Sequence, residues 1–140
     1  MSATEVVEGL IKAGTTIKDG WTKAKQRDAT MTWQKFMESP EFAGAFGQAS
    51  SVINGLTQPA VDQALVEIRA KQAALLGGKS VMELATDKLA QYDALLDVEN
   101  KLMRKFAAGA GTTAEWVSWL VDDALPVLIK VAAVVIPLLL

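Results

Sequence analysis

The chain has 140 residues, 51% of them hydrophobic and 21% charged, with fourteen basic against sixteen acidic side chains and a net charge of −2. That is one domain's worth of chain, too apolar for disorder and too charged for a polytopic membrane protein. It contains no cysteine and no histidine, which excludes disulfides, thiol chemistry, His/Cys zinc sites and every His-based triad. The near balance of charge gives no electrostatic case for nucleic-acid binding.

The N-terminus carries Glu5 and Glu8 where a secretory signal is basic, so no cleaved signal peptide is expected. Ser2 and Glu5 fit a capping box, in which each side chain satisfies an orphan amide of the first turn. Val6, Val7, Leu10, Ile11, Gly14, Ile17, Trp21 and Ala24 then recur at three- and four-residue steps, the apolar face of a long helix that depends on packing and has a weak point at Gly20.

A short apolar piece follows at 30–38. Ser39-Pro40-Glu41 is a helix start: a cap, a proline at the first position, and an acid at the positive dipole end. Phe42, Ala45, Phe46, Ala49, Val52 and Ile53 continue it to Asn54-Gly55. Thr57 and Pro59 open another helix, with Val61, Ala64, Leu65, Ile68, Ala73 and Leu76 facing inward. Gly77-Gly78 stops it. Gly77-Gly78-Lys79-Ser80 ends like a phosphate-binding loop, but Ala73 stands where the first glycine belongs, so it reads as a helix stop and restart.

Ser80 and Glu83 form a second capping box. Behind it Ala85, Leu89, Tyr92, Leu96, Glu99, Met103 and Phe106 alternate steps of four and three. That spacing predicts a helix-packing seam, flawed at Glu99 and widened by Leu95 and Leu102; it fits an antiparallel bundle or a short coiled coil. Residues 107–111 read as a small-residue joint, and Thr112 with Glu115 as a third capping box.

From residue 124 to 140 the one charge is Lys130. Trp116, Trp119 and Leu120 share a face; Asp122-Asp123 reads as a solvated break. Leu125, Val127, Leu128, Ile129, Val131, Val134, Val135, Ile136, Leu138, Leu139 and Leu140 then leave no polar side. These residues, with Trp116, Trp119 and Leu120, are the expected membrane or assembly contact, because a helix apolar all round is buried all round. Three arrangements stay open: a membrane helix, a helix covered by neighbouring subunits, or a core helix of a self-contained bundle. In the first, Trp116 and Trp119 sit at an interface, and Lys101, Arg104 and Lys105 place the N-terminal part on the cytoplasmic or interior side.

The expected fold is all-α: a helical bundle or extended helical array of about five helices with a hydrophobic C-terminal helix. The expected division is 1–106 as a helical interaction module, 107–111 as the joint and 112–140 as the apolar helix. No catalytic, metal or cofactor residues emerge, and no small-molecule substrate is implied. The function expected is non-enzymatic: a structural or interaction module, homo- or hetero-oligomeric, held to a lipid bilayer or within a membrane complex or virion shell. The alternatives are a membrane-inserting pore-forming or genome-delivery protein that releases its tail, and a soluble self-assembling scaffold.

Overall fold

The structure is a computed structural model that describes residues 1–107 and 113–140. Among the described residues every regular element is helical, and there is no strand. Five long helices dominate: α1 (Ala3–Arg27), α3 (Pro40–Gly55), α4 (Gln58–Leu76), α5 (Thr86–Ala107) and α7 (Leu125–Leu139). Two short ones, α2 (Trp33–Met37) and α6 (Thr113–Ser118), join them, with a 3-10 turn at Val81–Glu83 and a π-helical segment at Trp119–Ala124.

The helix starts follow the local chemistry. Ser2 Oγ accepts from the Glu5 amide and Glu5 Oε1 from the Ser2 amide, a complete capping box. Thr32, Ser39 and Thr57 cap α2, α3 and α4 through their hydroxyls. Gly77 closes α4 at φ +56°, a left-handed position that a Cβ disfavours. Ser80 donates its amide to Glu83 Oε2 at 3.1 Å, but this box opens only the 3-10 turn, and α5 begins at Thr86.

α1 is the central helix. It packs against α3, α4, α7 and the π segment, and runs unbroken through Gly20. Val6, Val7, Leu10, Ala13, Ile17 and Ala24 are fully buried along it. Gly20 allows the crossing with α3: a Cβ there would stand 3.0 Å from Ala45 Cβ and 3.1 Å from the Glu41 carbonyl oxygen.

α5 lies against α4 on one side and α7 on the other. This corrects the expected seam. Ala94, Leu95, Val98 and Leu102 are the buried line, whereas Ala85 and Met103 are exposed and Leu89, Tyr92 and Leu96 half-buried. A helix wedged between two neighbours buries the arc that faces both, and here that arc lies to one side of the four-three stripe. The Phe106 side chain lies outside the described residues. Glu99 is no flaw at this flank: its carboxylate accepts from Arg69 Nε at 2.6 Å and Gln72 Nε2 at 3.3 Å, tying α5 to α4. Gln72 is therefore buried, while Ala73, expected inward, is exposed.

Candidate interaction surface

The C-terminal segment is positioned by α1 and α5. Leu120, Leu125 and Leu128 have at most 1% of their surface exposed, and Val131 and Val135 are also buried. Val121 and Ala124 join them. Each of these leucines and valines contributes roughly 1.5–3 kcal/mol on full burial. Gly14 of α1 provides the notch: a Cβ there would meet Leu125 Cδ1 at 3.1 Å and Leu120 Cγ at 3.4 Å.

The π segment has a local cause. Pro126 has no amide proton, and in a continuous α-helix its ring would clash with the Asp122 carbonyl. The helix widens instead, and the Leu125 amide bonds to the Leu120 carbonyl, five residues back.

The sequence places the contact residues on all sides of this helix, and the structure sorts them. Leu120, Leu125, Leu128, Val131 and Val135 face the core. Trp116, Trp119, Val127, Ile136, Leu138 and Leu139 are half-buried at its edges. Ile129, Val134 and Leu140 are exposed, at 53%, 39% and 84%. Pro126, Ala133 and Pro137 are exposed on the same side. Pro126 and Ala133 lie three and four residues from Ile129, and Pro137 four beyond Ala133, so all share its face. The outer face of α7 is therefore an apolar strip with Lys130 as its one charge. A spanning helix is one expectation for this segment; among the described residues no helix is long and apolar enough to cross a membrane. The joint at 107–111 lies outside the described residues save Ala107, as does Thr112 of the third capping box.

Asp122 is exposed and Asp123 half-buried, as a solvated break requires, but both carboxylates also have partners on other helices. Asp122 Oδ2 accepts from Trp33 Nε1 at 3.2 Å, and Asp123 Oδ1 accepts from Lys101 Nζ at 2.6 Å. Trp33 in turn stacks on Trp21, with centroids 3.9 Å apart and planes at 9°, and Phe36 stands edge-on to both. Both indoles are half-buried, as expected of packing residues. Lys25 Nζ lies 5.0 Å over the Trp21 ring, a cation–π contact. A shallow groove of about 550 Å³ runs between Trp33 and Trp119, edged by Ser118 and Asp122. Among the described residues no group of three His, Cys, Asp or Glu side chains is placed to hold a metal ion.

Comparison with protein-family models, with curated proteins and with solved structures returns no match.

Proposed function

We propose that the protein is a non-enzymatic helical interaction module, held within a larger assembly or at a lipid surface by the outer face of its C-terminal helix. One observation carries this reading. A helix on the surface of a soluble domain ordinarily turns polar side chains to water. α7 turns Ile129, Ala133, Val134 and Pro137 outward instead, beside a single lysine. A continuous apolar strip of this kind marks a contact surface.

The inner face of α7 is core, so the test must spare it. The full chain and an Ile129→Glu/Val134→Glu variant are compared by sedimentation across a concentration series and by flotation with lipid vesicles. Oligomers or flotation in the full chain, lost in a variant of unchanged helicity, support the reading. A full chain that stays monomeric and unbound, like the variant, contradicts it. Concentration-dependent homo-oligomers without lipid select the scaffold form; flotation selects the lipid form.

A second reading, release of the tail onto a membrane, is favoured by one feature. The segment 116–140 carries only three charges, and two of them, Asp122 and Asp123, are engaged with other helices at the base of α7.

A further inference from the structure

We infer that Asp122 and Asp123 form a two-sided latch that holds the C-terminal helix in the bundle. Adjacent side chains diverge by about 100° around a helix. Here that divergence sends one carboxylate to Trp33 on α2 and the other to Lys101 on α5. The segment is thus tied on both flanks, at the π turn that leads into α7. Lys101 is only 13% exposed, so its ammonium is held close to the bundle rather than free in solvent.

The latch matters because of what α7 exchanges on leaving. Its inner face is apolar, and lipid tails or an apolar partner are as apolar as the core it leaves. The area of α7 itself is re-buried on such a surface, while the socket it leaves on α1 and α5 is opened. The hydrogen bond to Trp33 and the ion pair to Lys101 do not cancel, and neither does the cost of carrying two carboxylates toward an apolar phase. These two side chains therefore raise the cost of release beyond that of opening the socket. This consequence rests on the contact role proposed for α7; the latch itself does not.

The two claims separate in one experiment on the full chain. Amide hydrogen exchange is followed in the wild type, in Asp122→Ala/Asp123→Ala, and in a charge-matched control, Asp93→Ala/Asp97→Ala, whose carboxylates are exposed on α5. Alanine favours the helix, so any loosening does not come from weaker helix propensity. Exchange across 125–139 is expected to quicken about five- to thirtyfold in the latch variant, with α3 and α4 unchanged. Exchange equal to the control's overturns the inference. Should the double variant loosen throughout, Trp33→Phe and Lys101→Met break one side each from the partner helix. Each is then expected to quicken exchange across 125–139 at least about twofold, and no change in either overturns the latch. Flotation with neutral phosphatidylcholine vesicles completes the test. Faster exchange with greater flotation supports both the latch and the lipid contact. Faster exchange without flotation supports the latch and removes lipid from the proposed function.

Discussion

Leu125 fills a notch left by Gly14: its Cδ1 lies 3.1 Å from the point a Cβ on Gly14 would occupy. The two residues are far apart in sequence, and their contact seats the C-terminal helix on the central one. A larger side chain at position 14 pushes into Leu125 and Leu120 together. Gly14→Val is expected to destabilise the fold by roughly 1–3 kcal/mol, the usual cost of overpacking. Urea denaturation of the purified variant measures it.

The sidedness of α7 makes two neighbouring residues respond in opposite ways. Leu128 is fully buried and Ile129 is 53% exposed. Leu128→Ala is expected to cost roughly 2–5 kcal/mol, the transfer term plus a cavity. Ile129→Ala is expected to stay within about 0.5 kcal/mol, as surface changes do. Equal effects in thermal or urea melts would remove the distinction between the two faces.

The glycines of α1 and α3 also divide. Gly20→Ala gains helix propensity but drives a Cβ to 3.0 Å from Ala45 Cβ and 3.1 Å from a backbone oxygen. Neither neighbour is a flexible side-chain end, so the variant is expected to be less stable than wild type. A Cβ at Gly47 meets nothing within 4 Å. Gly47→Ala is expected to stabilise by about 0.5–1 kcal/mol. Paired melting curves give both signs.

Much of this architecture was legible before the structure. The caps at Ser2, Ser39 and Thr57 and the stop at Gly77 are local chemistry, so they set the helix boundaries from short stretches of sequence. The buried faces of α1 and α3 were legible too: in each the apolar stripe coincides with the buried residues. α5 was not, because its buried arc between α4 and α7 lies to one side of the four-three stripe, so that Leu89, Tyr92 and Leu96 give way to Leu95, Val98 and Leu102. In α7 the outer and inner faces are equally apolar, so no pattern in the sequence could say which side meets α1. The partners of Asp122 and Glu99 depend on tertiary approach, and an isolated acid in a sequence carries no mark of the Trp or Arg it will meet.

Acid should loosen the α1–α3 pair. Arg27 donates from Nε and Nη2 to the two oxygens of Glu41, and these hydrogen bonds hold that carboxyl down at about 2, from an ordinary 4.5. A depressed carboxylate contributes its stability in full above the unfolded value and loses it as pH falls through the folded one. The loss therefore falls between 4.5 and about 2. Arg27 is half-exposed, so the contribution is small. Glu41→Gln is expected to remove part of the wild-type fall in urea midpoint between about pH 5 and about pH 3. An identical fall in both proteins would contradict the assignment.

The central claim is that α7 is core on one side and contact surface on the other. Because the chain has no cysteine, single cysteines report on it without background. Maleimide labelling of Ile129→Cys and Leu128→Cys, in dilute protein and again in concentrated protein or with vesicles, measures both faces at once. The account predicts fast labelling at 129 in the dilute protein, protection there on assembly or lipid binding, and protection at 128 throughout. Equal labelling at the two positions, or a position 129 that is never protected, would contradict it.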